Sequence, residues 1–577
     1  MQKYQRRLLI SGSLITFSLL LVLPQYLTGG VILGEDFLFH YNRFYDAAMQ
    51  IKTGNFHYFI STYGFQQSGR IVNALYGPLF AYFQGGLVLL AKTWYNYQML
   101  SRLVLNLIAS FSMYALLRTV HIKARVAVTL SCFYLTTFCI QYWTLRQGFT
   151  SWGAAFTPLA LIPAFKYAET HELNAIKLAC CVSLLLQVHV LSTVFLVLTY
   201  LPFFGYGLIT SPTRKKDILK LVIAISLFLI LTLNVWTVLL AVTSSNNLIL
   251  PFTNKHMYLY SITERSMYWL FTPIPLALII IALIYISFKF WHNYSPLLKI
   301  TTGTFFTFLL LSTSLFPWYF ITKYKIKMLE IFQFPFRFFV IPTILACVLC
   351  GTILSKQLSK HHFRIIYPIL CLLVLVGFIQ TMLLLNNRYE RWLTHNDPIK
   401  DESTFVFDTR STTKIRNSLY STNLAELLSL VQKKTPDYLP SYHDNKKGNY
   451  DLYEYFIIWP SDYFTKTVSK NKLIITWYGD KKEPISVPVI KYDKTSLVLN
   501  NKKLTKHQYE LSDIGTPVVM QHAGKNRLVV SYNIGSWFNF VLVITLLTWL
   551  ICLLYLCYNR FKLTKRYMLT PKIKLPH

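Results

Sequence analysis

Gly34-Glu35-Asp36-Phe37-Leu38-Phe39-His40-Tyr41-Asn42-Arg43 follows almost directly on the first long apolar run of the chain. Two adjacent carboxylates leave a membrane helix on what the charge pattern makes its outer side. If the stretch continues as a helix, Asp36, His40 and Arg43 fall at i, i+4 and i+7 and share one face. An acid, an imidazole and a guanidinium meeting at a bilayer surface read as a site. The simpler reading is that Glu35 and Asp36 cap the helix, since acids suit a helix N-terminus.

Working outward, the composition sets the class. The 577 residues are 54% hydrophobic and 16% aromatic. They contain many apolar runs of about 20 residues with few charges, the pattern of a multi-pass membrane protein. A net charge of +33 would point to nucleic acid in a soluble protein. Here much of the Lys and Arg lies in short loops between apolar runs, as the positive-inside rule requires, and no nucleic-acid partner is expected. All nine cysteines lie in apolar runs. Cys347 and Cys350 have CxxC spacing but read as small packing residues within a helix, and no disulfide is expected. Lys3, Arg6 and Arg7 precede the first apolar run, which reads as a retained helix and not a cleaved leader.

The runs expected to span are about 8–27, 97–117, 126–143, 152–168, 176–190, 191–209, 217–241, 269–288, 299–320, 334–355, 363–385 and 536–558. Twelve spans put both termini on one side. The N-terminal cluster, the loops Arg118–Arg125, Arg214–Lys220 and Lys356–Arg364, and the tail (Arg560, Lys562, Lys565, Arg566, Lys572, Lys574) make that side cytoplasmic. A further run, 71–91, is expected to lie in the outer interface or to re-enter, because a span there would invert every later loop. The run 176–209 reads as two short helices meeting near His189.

The fold class is therefore mainly α. Residues 1–385 form a polytopic helical bundle with a large first external loop, 28–96. Residues 386–535 form an external β-rich domain, and 536–577 form a last helix with a basic tail. In the external domain, Lys472–Tyr478, Ile485–Tyr492, Ser496–Leu499 and Arg527–Tyr532 alternate or are rich in β-branched and aromatic residues, which predicts a small β-sandwich. Its 22 Lys/Arg against 16 Asp/Glu give no strong bias.

The sidedness rule breaks at Lys323-Tyr324-Lys325-Ile326-Lys327 and at Gln333-Phe334-Pro335-Phe336-Arg337. Lysines on the outer side are retained for an anionic ligand or snorkel into anionic lipid. Arg337 follows a rigid Pro335 where a helix enters the membrane, and a guanidinium there can fork onto a phosphate. Arg70, Arg146, Gln187, Ser192, Glu264 and Arg265 are further polar residues near that surface. His189 lies in an apolar hairpin and is either a site residue or bonded to a neighbouring helix.

Three features together carry a resemblance. They are the acidic pair with its DxxFHxxR run, the His-containing Gln187-Val188-His189-Val190-Leu191-Ser192 hairpin, and the QFPxR segment at Gln333–Arg337. The chain resembles the bacterial integral membrane proteins labelled "6-pyruvoyl-tetrahydropterin synthase-related", similar to YfhO-type proteins. That family in turn resembles the GT-C membrane glycosyltransferases, which take sugar from a polyprenyl-phosphate donor on the outer face. The resemblance implies that Asp36 is the catalytic acid of the first external loop, Glu35 its common neighbour and Arg337 the QFPWR-type arginine. Phe336 stands where Trp is usual.

Such a transfer needs a base for the acceptor hydroxyl and cations for the departing phosphate. Asp36 is the expected base, with Glu35, His40 and Arg43 around it. Arg337, Lys323 and Lys325 form the expected phosphate clamp, and His189, Arg70 and Gln333 complete the substrate-binding set. No cofactor is expected, although Glu35 and Asp36 could take a divalent metal as in some GT-C enzymes. The partners implied are a polyprenyl-phosphate-linked sugar, a cell-envelope glycan or polymer acceptor, and the bilayer. The competing classes are a transporter or flippase, which would place its polar residues at mid-membrane, and a non-catalytic envelope-polymer assembly protein.

Overall fold

The computed structural model describes residues 2–395, 399, 403–442 and 449–569. Lys572 and Lys574 lie outside the described residues, as do the side chains of Lys327, Lys565 and Arg566. Among the described residues, eight helices are long and apolar enough to cross a membrane, or nine if a bent pair counts as one span. That pair is Arg214–Leu231 with Leu233–Thr243, bent by 61° where the expected run 217–241 was continuous.

The other expected runs do not meet that length and composition, for physical reasons that differ by segment. Ala175–Val188 has 14 residues and Pro296–Leu311 has 16, both short of the roughly 20 that a bilayer core requires. The expected 299–320 run stops at Leu311, where Ser312, Ser314 and Pro317 interrupt it before a separate short helix at Trp318–Lys323. Thr150–Thr170 has 21 residues but is diluted by Thr, Gly and two prolines, and most of it is buried against other helices.

At the start of the chain, α1 (Gln2–Thr28) leads through an extended link to α2 (Phe37–Thr53), then to α3 (Pro78–Ala91) and α4 (Trp94–Thr119). At 14 residues α3 is about 21 Å long, too short to cross, and it packs along α2. Thr93 caps α4 by accepting from the Asn96 amide. Arg102 of α4 ties this end of the bundle: Nη1 donates to Gln25 Oε1 at 2.6 Å and to Tyr389, and Nη2 to the Leu21 carbonyl at 3.0 Å. As expected, the run 176–209 is two helices, Ala175–Val188 and Val190–Thr210, with His189 extended between them.

Among the described residues, ten strands lie in the C-terminal half: β1 (Phe405–Phe407), β2 (Val431–Lys433), β3 (Thr465–Ser469), β4 (Lys472–Gly479), β5 (Pro484–Ser486), β6 (Thr495–Leu499), β7 (Lys502–Lys503), β8 (Tyr509–Leu511), β9 (Pro517–Met520) and β10 (Gly524–Tyr532). An antiparallel sheet in the order β3-β4-β10-β6-β7 and a smaller one, β5-β9-β8, share a core of Leu473, Ile475, Trp477, Val519, Leu528 and Val530. Three of the four expected strands are present. The fourth, Ile485–Tyr492, is strand only as far as Ser486. Pro488 lacks a donor, and the Ile490 amide donates instead to Ser68 O at 2.7 Å.

That bond is one of several that make the first loop and the β-domain a single body. Lys466 Nζ donates to Gln66 O at 2.7 Å and Pro488 O at 2.9 Å. The Ile71 amide donates to the Tyr492 hydroxyl at 3.0 Å. The pair β1–β2 sits apart from the sandwich, against α2. At the opposite end of the bundle, Arg6, Arg118, Lys123 and Arg125 gather around one cleft.

Candidate functional site

Asp36 occupies the N-cap position of α2, yet its carboxylate makes no capping hydrogen bond. Among the described residues no side chain or amide donates to it. The simple capping role therefore does not account for it. Two close approaches set its place. Gly34 packs so tightly on Arg146 that a Cβ there would collide with the Arg146 backbone. The Asp36 amide then donates to Arg146 O at 3.5 Å, anchoring the start of α2.

The charges around Asp36 come from distant parts of the chain. Burial pushes its carboxyl above the usual value of 3.8; Lys433 pulls it down, Glu35 pushes it up, and Arg337 and Arg146 pull it down. Lys433 ends β2, its Nζ donating to the Glu35 carbonyl at 2.8 Å. Arg337 sits in the 3-10 turn Pro335–Phe339, which leads directly into the helix Val340–Thr352. Its Nη1 donates to Gln333 Oε1 at 2.8 Å, which leaves Nε buried without a partner. Gln333 also bonds across to the Phe252 carbonyl and accepts from Asn254, so its backbone and side chain hold Arg337 in place. Phe336 stacks on Trp269 with ring centroids 4.8 Å apart.

Arg337, His189, Tyr76 and Tyr438 line a cavity of about 600 Å³, together with Thr243, Asn246, Asn247 and Gln333. Its remaining walls include Val190, Leu191, Val194, Leu239, Leu248 and Leu250. His189 Nδ1 lies 2.7 Å from Ser192 Oγ, which fixes its ring toward this space. Gly77 permits the approach of the first loop: with φ +91 and the Gln187 carbonyl where a Cβ would stand, no larger residue fits. The Asp437 carboxylate likewise accepts no hydrogen bond among the described residues; burial raises it against the pull of Arg70 and Lys433, and Asp36 pushes it up further.

Three expectations need correction. His40 and Arg43 do share a face of α2, but neither bonds to Asp36. Arg43 is wholly buried and donates from Nε to Asn73 Oδ1 at 3.1 Å and from Nη2 to Tyr76 O at 3.0 Å, with its Nη1 3.2 Å from His40 Nδ1. Burial and then Arg43 hold His40 well below its ordinary value, so its neutral Nδ1 accepts from the guanidinium. Arg70 is committed to the carbonyls of Thr435, at 2.6 Å, and Asp437, and so holds the chain beyond β2 rather than facing the cavity. Lys323 and Lys325 are exposed on their own turn, Lys323 beside Tyr319 and Tyr324, away from Arg337's cavity.

Lys433 was missed because it belongs to a region that read as a separate domain. Its signal, Lys433-Lys434 directly after the apolar helix Leu424–Leu430, is indistinguishable in sequence from a solvated turn. A metal held by Glu35 and Asp36 does not fit the arrangement: the Glu35 carboxylate pairs with Arg146. Among the described residues no group of three His, Cys, Asp or Glu could hold an ion. No protein-family model, no curated protein and no solved structure matches this chain.

Proposed function

We propose that the protein is a membrane glycosyltransferase that moves a sugar from a polyprenyl-phosphate donor to a cell-envelope acceptor at the outer face. One observation carries the reading: an unbonded carboxylate, Asp36, lies within electrostatic reach of Arg337 and Lys433, and Arg337 in turn lines a cavity that is walled largely by aliphatic side chains. A lipid phosphate has that same division, with a charged head and a hydrocarbon tail. The gathering of the polar groups at one end of the bundle suits a transferase better than a transporter, whose polar residues lie at mid-membrane.

In this reading Asp36 takes the proton of the acceptor hydroxyl as that oxygen bonds to the anomeric carbon. The bond from that carbon to the phosphate oxygen breaks, and the electron pair leaves on the polyprenyl phosphate. Arg337 and Lys433 stabilise the charge as it develops, an effect commonly worth on the order of 10²–10³ in rate for each such group. The raised carboxyl of Asp36 is a stronger base than an ordinary aspartate would be. The end carrying the first loop and β-domain is external, and the end where Arg6 and Arg118–Arg125 gather is cytoplasmic, with both termini there.

The test is transfer by purified protein in liposomes, from a labelled polyprenyl-phosphate sugar to envelope polymer. Asp36→Asn keeps the shape of the side chain and removes the proton acceptor. It should lose at least about 10²-fold in transfer while still binding donor. A variant that transfers at the wild-type rate would sink the reading.

A further inference from the structure

Glu35 and Phe37 also line a second cavity, of about 390 Å³. Arg146, at the end of the helix Phe138–Arg146, and Arg388 and Arg391, in the last turns of Lys360–Thr394, all line it. Arg388 and Arg391 are spaced i, i+3 and so share a helix face. Arg146 and Arg391 both lie within electrostatic reach of Arg388, and Glu35 is the single carboxylate among the described lining residues. Glu35 is already drawn to Arg146. No ion pair or side-chain hydrogen bond engages Arg388 or Arg391 among the described residues. Phe37, Trp392 and Phe405 form an apolar floor.

Three like charges brought to one small space repel, and the cost is offset when an anion sits among them. Guanidinium forks match the oxygens of phosphate two at a time, which a lysine cluster would not do. We infer that this cavity is a second anion site that takes a phosphate group, carried either by a soluble phosphate ester or by a lipid headgroup. The inference stands on the cavity and its arginines and does not need the transferase reading.

Full-length protein in detergent is titrated with glycerol 1-phosphate by calorimetry. In parallel, protein in phosphatidylcholine nanodiscs containing phosphatidylglycerol is examined by native mass spectrometry for retained lipid. Binding in the first arm assigns a soluble ester; retention in the second alone assigns a headgroup. In either arm the double variant Arg388→Gln/Arg391→Gln, altered at exposed positions, should weaken binding by at least about tenfold. Glu35→Gln removes the competing carboxylate and should tighten binding severalfold, an effect that a purely structural ion pair would not produce. Arg337→Lys should leave it unchanged. Absence of binding in both arms, equal binding by the double variant, or loss of binding in Arg337→Lys would each overturn the inference.

Discussion

Arg43 Nη1 lies 3.2 Å from His40 Nδ1, so a fully buried guanidinium is answered by an imidazole and by carbonyl and amide oxygens, not by a carboxylate. That pairing decides the character of the first loop. With Arg43 turned to Asn73 and Tyr76, the nearby acid Asp36 is left unbonded and faces the cations of β2 and of the Gln333–Arg337 segment. Arg43 also lies 4.3 Å over the Tyr76 ring, which holds the turn leading to α3.

This network is structural, and its loss should appear in stability before activity. Asn73→Leu leaves the Arg43 Nε buried without an acceptor, which costs about 1–3 kcal/mol. Thermal unfolding of the detergent-purified variant should shift downward by several degrees. If melting were unchanged, the hydrogen bonds around Arg43 would contribute nothing.

The acid limb of the activity profile should report Asp36. The base works when deprotonated, so kcat/KM should fall as pH drops through a midpoint above the ordinary aspartate value of 3.8. Lys433→Gln removes a cation that pulls the carboxyl down and should move the midpoint to higher pH. Glu35→Gln removes an anion that pushes it up and should move the midpoint lower. A limb that ignores both changes belongs to some other group.

Arg337 and Lys433 should matter, and Lys323 and Lys325 should not. Arg337→Ala should reduce transfer by roughly 10²–10³, with Arg337→Lys recovering part, because a lysine restores charge but not the fork. Lys323→Gln/Lys325→Gln, both exposed and clear of the cavity, should stay within about twofold of wild type. The reverse ranking would return the clamp to the outer lysines.

Sidedness has a direct check. Lys481 is exposed on the turn between β4 and β5, and Lys216 is exposed in the first turn of Arg214–Leu231. A cysteine at Lys481 should react with an impermeant thiol reagent in intact cells, and one at Lys216 should be protected until the cells are opened. Protection at Lys481 with labelling at Lys216 would invert the map.

Much of this was legible in the sequence for simple reasons. Apolar runs must be helical at membrane depth, so the helices, the break at His189 and the short helix Pro78–Ala91 follow from hydropathy and charge alone. Alternation marked β4, β6 and β10, and Pro335 marked the turn that carries Arg337. Tertiary structure decided what touches what. Whether His40 and Arg43 serve Asp36 or each other depends on Asn73 and Tyr76, thirty residues on. Lys433 reaches Asp36 only because β1 and β2 leave the sandwich and pair against α2, and Arg70 is taken out of the site by the Thr435 and Asp437 carbonyls that this same excursion brings to it. Local periodicity records which side of an element is apolar; it carries no information about which distant polar group will satisfy a buried charge, and that choice placed the candidate site.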